Sequence, residues 1–163
     1  MMDEEKRAAL IQRYQEGPTL LRAAYIETPI DARNWRPAPD EWSIHEIICH
    51  CADAEMNGAS RLRMLVAEPE PIIPGYDQDA WASRLGYQSL PANVAFAVID
   101  ATRSWTYALL TMLTPTQWAA TGTHTDTGRY TVNDWLTVYA DHLHIHVKQM
   151  QANVEDWNRC HGS

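Results

Sequence analysis

The stretch DHLHIHVKQM, residues 141–150, sets His142, His144 and His146 at alternate positions. Histidine is a common ligand of divalent metals and also an ordinary half-buried residue, so the chemistry depends on which imidazoles share a face. On a helix that turns about 100° per residue, His142 and His146 lie about 40° apart, and His144 points about 160° away from both. Two imidazoles four residues apart reach one point from successive turns, the spacing of helical zinc sites. Taken alone, the pair equally fits two half-exposed surface histidines. A third ligand would turn it into a site.

His50 is the best candidate for that ligand. It sits in the apolar-rich run EIICHCADAE, where an unpartnered imidazole carries a desolvation cost. His45 is in the first turn of the same segment and is expected to be exposed, His124 falls in a loop, and His161 falls in the tail. Glu46 and Asp53 occupy turns adjacent to His50 on roughly its own face, and Asn57 follows two turns on. These groups either orient an imidazole or a metal-bound water, or form a solvated polar edge. Cys49 and Cys51 flank His50, and Cys160 completes three cysteines, an odd number badly spaced for a disulfide framework. Two thiols straddling one helical residue point to different faces, so free thiols are expected rather than a thiolate site.

Four helical segments are expected to carry these residues. Residues 3–26 place Leu10, Tyr14, Leu20, Leu21 and Tyr25 at helical intervals, although Gly17-Pro18 threatens a bend or break. Ser43-Ile44-His45-Glu46 reads as a capping box that opens a helix running to about Ala67, before prolines 69, 71 and 74. A third helix is expected from near Ser89, with Pro91 in its first turn, through Val94, Val98, Trp105 and Leu109 to Leu113. Thr131-Val132-Asn133-Asp134 is a second capping box, opening a helix to about Trp157. With almost no strand signal, the fold class is all-α: an up-down four-helix bundle with long crossover loops. The crossover after the second helix holds Tyr76, Asp77, Asp79 and Trp81; the one after the third reads as a loop or small hairpin turning at Gly128. Such connections either rim a site or simply span the bundle.

The 163 residues suit a single domain, expected over 1–163. A net charge of −8 and the lack of clustered Lys and Arg argue against nucleic acid as a partner. No window approaches the roughly 18 apolar residues of a membrane span, and the acidic start MMDEEKRAAL does not resemble a secretory signal, so a cytoplasmic location is expected.

EWSIHEIICHCADAEMN, followed about ninety residues later by YADHLHIH, resembles the DinB-like superfamily of four-helix-bundle metalloproteins. The likeness is closest to its YfiT-like branch, which includes proteins named as metal-dependent hydrolases and the bacillithiol transferases. IIPGYDQDAW is similar to that branch's loop after the second helix. The resemblance covers nearly the whole chain, and its most specific element is one histidine in W-S-x-x-E-x-x-x-H plus a later H-x-x-x-H. It implies one divalent metal ion per chain, zinc or nickel, held by His50, His142 and His146 with coordination positions left open. His45, Cys49 and Cys51 match no fixed role in the family. The implied activity is transfer of a low-molecular-weight thiol to an electrophile, with Asp53 or Glu46 assisting proton removal. The alternatives are a hydrolase that uses metal-activated water and a non-catalytic metal-binding stress protein. The partner is then a small-molecule substrate, and pairing as a homodimer is left open.

Overall fold

Asp3 accepts from the Lys6 amide and caps α1 (Glu4–Glu27). The helix passes through Gly17-Pro18 without a break. Pro18 has no N–H to offer the Tyr14 carbonyl one turn earlier. Arg103 supplies the missing donor from across the bundle, Nη1 to Tyr14 O at 2.6 Å. Gly17 is used for close approach: a Cβ there would stand 3.1 Å from Leu143 Cβ.

The computed structural model describes residues 2–162, so Met1 and Ser163, the ends of the expected domain, lie outside the described residues. The capping box at Ser43 and Glu46 opens α2 (Ile44–Ala67). The first crossover contains β1 (Ile72–Ile73), α3 (Gln78–Arg84) and a single 3₁₀ turn over Tyr87–Ser89. α4 (Ala92–Leu110) is shorter at both ends than its apolar pattern suggested. Leu90, just before Pro91, is extended with ψ 144°, as the proline ring requires of its predecessor, so the helix cannot begin at Ser89. Its buried face is Phe96, Ile99, Arg103, Thr106 and Leu110, whereas Val94 and Trp105 of the expected stripe are 52% and 71% exposed. α5 (Pro115–Trp118) leads into the hairpin of β2 (Thr121–His124) and β3 (Gly128–Thr131), with Gly128 at φ 79° in the turn. The second capping box, Thr131 with Asp134, opens α6 (Val132–His161).

The long helices are α1, α2, α4 and α6, and contacts fix their directions. α1 and α6 run parallel, since Arg13 pairs with Asp141, Gly17 meets Leu143, and Ala24 shares a cleft with Met150. α2 and α4 are parallel to each other, with Glu55 on Arg103, Arg63 on Thr106, and Ala67 beside Met112. α2 is antiparallel to α6: Trp135 Nε1 donates to the Gly58 carbonyl at 2.8 Å, and Asn153 Nδ2 donates to the Trp42 carbonyl at 2.8 Å. The directions are therefore up, down, down, up. A parallel step from α2 to α4 must return along the whole bundle, which is why the intervening connection is long.

β1 pairs parallel to β2, Ile72 opposite Thr123, and β2 pairs antiparallel to β3. This small sheet joins the two crossovers to each other. The hairpin was anticipated; the parallel partner was not, because two residues are too few to show an alternating pattern. Two apolar clusters fill the bundle. One holds Leu21, Ile48, Phe96 and Met150, the other Tyr14, Leu62, Leu110 and Trp135.

α2 and α6 are in close contact at Gly58, where a Cβ would stand 2.3 Å from Tyr139 Cε1. The Tyr139 ring stacks on Trp135 at 4.8 Å and is buried, so it has little room to yield. Gly58→Ala should therefore lower stability by about 2 kcal/mol despite alanine's better helix propensity. Urea unfolding with a lower midpoint at unchanged slope is the expected result.

Candidate metal centre

His50 projects from the second turn of α2, and His142 and His146 from facing turns of the antiparallel α6. One ring nitrogen from each lies within 4.8 Å of the others. His142 Nε2 and His146 Nε2 are 3.2 Å apart, close to the roughly 3.4 Å between two nitrogens on one tetrahedral ion. His146 Nδ1–H donates to Gln149 Oε1 at 2.9 Å, which leaves the Nε2 lone pair facing inward. His142 Nδ1 lies 3.4 Å from Glu55 Oε1 but makes no hydrogen bond among the described residues. The two Nε2 atoms thus face each other. Both nitrogens of His50 are buried and have no hydrogen-bond partner among the described residues.

Burial, reinforced by the two neighbouring imidazoles, pushes the His50 pKa down to about 2. Burial and His142 push His146 down to about 4. Both rings are neutral at physiological pH, the form that binds metal. Three converging imidazoles, with both His50 nitrogens unpartnered among the described residues, fit a divalent cation, and their donor set suits zinc or nickel.

Behind His142 lies a charged network. Glu55 is buried and accepts from Arg103 at 2.6 Å on each oxygen. Burial would raise the Glu55 pKa, but the charge of Arg103 and the His142 contact outweigh it and keep the carboxylate ionised. Arg103 also donates to the Tyr14 and Tyr139 carbonyls. Neither Glu55 nor Arg103 was singled out from sequence. The signal was available in Pro18, whose unmet carbonyl partner called for a donor, and in an arginine on a helix face otherwise apolar.

The other candidates fall in distinct places. Both Glu46 oxygens are taken by Arg36 and one also by Ser43, which outweigh burial and lower its pKa. It anchors the start of α2. Asp53 is half-buried and accepts from the Tyr87 hydroxyl through Oδ2 at 2.6 Å; Oδ1 makes no protein hydrogen bond among the described residues. Asn57 donates back to the Asp53 carbonyl at 3.0 Å. His144 faces α1 and donates to the Arg13 carbonyl, away from the centre. His45 is half-buried rather than exposed, because its Nε2 reaches the Leu90 carbonyl at 2.8 Å. His124 sits in β2 and accepts from the Asp126 amide, and His161 packs on Trp157.

Cys49 and Cys51 are buried outside the histidine group. Burial and nearby carboxylates push the Cys49 thiol up to about 11 and hold the Cys51 thiol above its ordinary range as well. Trp42 packs on His50 with ring centroids 4.6 Å apart. Beside it a cleft of about 570 Å³, lined by Trp42, Asp79, His146, Gln149 and Asn153, opens to solvent. Residues of the first crossover therefore do rim the centre.

The family model of the DinB superfamily matches residues 13–150. Among curated proteins, YfiT of Bacillus subtilis, provisionally named a metal-dependent hydrolase, is 28% identical over 163 residues, covering 99% of this chain and 89% of YfiT. A similarly named protein of Oceanobacillus iheyensis is 27% identical over 149 residues, covering 90% of this chain and 86% of its own length. The solved structure of YfiT, described as having an unusual four-helix-bundle topology, aligns with a TM-score of 0.86 at 24% identity, over 99% of this chain and 91% of that one. The four-helix bundle protein TT2238 aligns with a TM-score of 0.65 at 21% identity, over 90% and 98%. At these identities the structural likenesses speak for the fold, and the family match is what assigns membership: the chain belongs to the DinB superfamily.

Proposed function

We propose that the protein is a metal-dependent enzyme in which His50, His142 and His146 hold one zinc or nickel ion and a low-molecular-weight thiol is transferred to an electrophile. The reading is carried by the convergence of three imidazoles, one ring nitrogen of each within 4.8 Å of the others, with both His50 nitrogens buried and unpartnered among the described residues. An ion held by His50, His142 and His146 would lower the pKa of a thiol or water bound beside them toward neutrality. Thiolate is the softer donor and the easier anion to form at that pH, which favours sulfur as the nucleophile.

The chain's own groups then have separable tasks. Gln149 fixes the tautomer of His146 so that its Nε2 is presented to the centre, and the Glu55 carboxylate stands behind His142. Asp53 is the carboxylate with an uncommitted oxygen and is assigned as the proton acceptor. Glu46 is committed to Arg36 and Ser43, and its contribution is to hold the first turn of α2, and with it His50, in place. Trp42 covers one face of His50. A second reading, hydrolysis by activated water at the same centre, is favoured by the names of the Bacillus and Oceanobacillus relatives.

Elemental analysis of the natively purified protein should find one divalent ion per chain. His50→Ala, His142→Ala and His146→Ala should each weaken metal binding by a factor of at least about 100, given the cost of losing one of three ligands. His144→Ala should leave it unchanged, and equal loss there would overturn the assignment. In the cobalt-substituted protein, a small biological thiol should produce a sulfur-to-metal absorption band that disappears in His142→Ala. Consumption of an activated haloarene should then require both thiol and metal. Metal-dependent turnover of esters or amides without thiol, and no thiol-induced band, would replace transfer with hydrolysis. Silence of both assays in the fully loaded protein would favour a non-catalytic metal-binding role.

A further inference from the structure

α4 carries two apolar lines of residues, and the bundle covers one of them. Phe96, Ile99, Thr106 and Leu110 face inward. Trp105, Ala108 and Leu109, with Met112 in the turn just beyond the helix, follow at steps of three, four and seven residues, the spacing of a second stripe. Trp105 is 71% and Met112 77% exposed, and Trp105 is the only exposed tryptophan among the described residues. A helix needs a single apolar stripe to join a bundle, so Trp105 and Met112 are large apolar side chains that this fold leaves uncovered. With Arg63 and Val66 of the neighbouring α2, the stripe lines a groove of about 300 Å³ that opens to solvent.

The groove is separate from the metal centre. Arg63 follows His50 by thirteen positions on α2, about 20 Å along the helix axis and about 140° around it. Its guanidinium is half-buried, and Nη1 donates to the Ala59 carbonyl at 2.8 Å and to the Thr106 hydroxyl at 3.4 Å. No carboxylate among the described residues forms an ion pair with it, and Nε and Nη2 have no protein partner there. Those two nitrogens form the edge with which Arg103 grips Glu55, Nε to one oxygen and Nη2 to the other. In Arg63 the same two-donor edge, matched in shape to a carboxylate, is uncommitted beside an apolar groove.

We propose that this groove is a second binding site, which takes a small amphiphilic carboxylate with its apolar body against Trp105 and Met112 and its carboxylate on the free edge of Arg63. At roughly 30 Å³ per non-hydrogen atom, the groove admits a ligand of on the order of ten such atoms. Charge decides against the other occupants. A second copy of the chain docked by the same face would bury Arg63 and bring it no counter-charge, because no carboxylate lines the groove. An anionic membrane surface is held by clustered cations, and Arg63 is the only one lining this groove. A soluble monoanion satisfies both the stripe and the guanidinium, and its binding needs no metal.

The test uses the full-length protein at low salt and two probes of equal chain length, octanoate and octanol, followed by tryptophan emission. Octanoate should shift the emission to the blue, and Trp105→Phe should remove the shift. The acid should bind at least about 10-fold more tightly than the alcohol, as expected for one charge-assisted pair. Arg63→Met should bring octanoate down to the level of octanol, and Arg63→Lys should retain part of the preference. Ala108→Phe, which fills the groove from an exposed position, should weaken both probes. Should Arg63→Met fold poorly by thermal unfolding, Arg63→Gln provides the same comparison. A carboxylate can also bind a metal ion, so His142→Ala is the control: unchanged octanoate binding there supports the groove, whereas binding lost there and kept in Arg63→Met overturns it. Equal binding of the two probes to the wild type, or a preference that survives loss of Arg63, also overturns the proposal. So does sedimentation that shows a dimer broken by Ala108→Phe with no octanoate bound, which would assign the groove to a second copy.

Discussion

The rest of the bundle depends on one buried guanidinium. Arg103 of α4 reaches Glu55 of α2, the Tyr14 carbonyl of α1 and the Tyr139 carbonyl of α6, so a single side chain touches all four long helices. Each contact sits at a fixed height on its helix, and together they leave little freedom to slide one helix past another. Buried ion pairs are weak evidence of net stability, since desolvation offsets most of the attraction. Their value here is positional: Glu55 also faces His142, so the register that Arg103 imposes is transmitted to an imidazole of the centre.

This polar layer lies between two apolar clusters, one toward each end of the bundle. The order up, down, down, up puts both ends of the α2-to-α4 connection at opposite poles, and its residues are carried past the histidines on the way. Gln78 and Asp79 reach the rim because the topology leaves the chain no shorter route. The parallel pairing of β1 with β2 then fastens this connection to the hairpin that precedes α6.

What was legible in the sequence follows the strength of local signals. Two capping boxes marked the starts of α2 and α6 to the residue, because side chain and backbone there satisfy each other within one turn. The i, i+4 spacing separated His142 and His146 from His144, and the packing agrees: the first two converge while the third bonds to α1. The signals failed where a distant partner decides. Gly17-Pro18 reads locally as a break, and only Arg103, far along the chain, removes the penalty. The apolar stripe of α4 was traced on Val94 and Trp105, although the helix buries an arginine and a threonine instead. Glu55 lies about 140° around α2 from His50 and was invisible to an argument confined to one helical face.

Cys49 and Cys51 flank a centre read as activating a foreign thiol toward electrophiles, yet both are buried with their thiols held protonated. Cys49 is further engaged with the Tyr87 carbonyl at 3.5 Å. Nucleophilic attack by sulfur requires the thiolate, so neither side chain competes with the incoming thiol for the electrophile. The core is thereby spared alkylation by an electrophile. Among the described residues only Cys160 is exposed, on the last turn of α6, where adduct formation would leave the four-helix packing untouched.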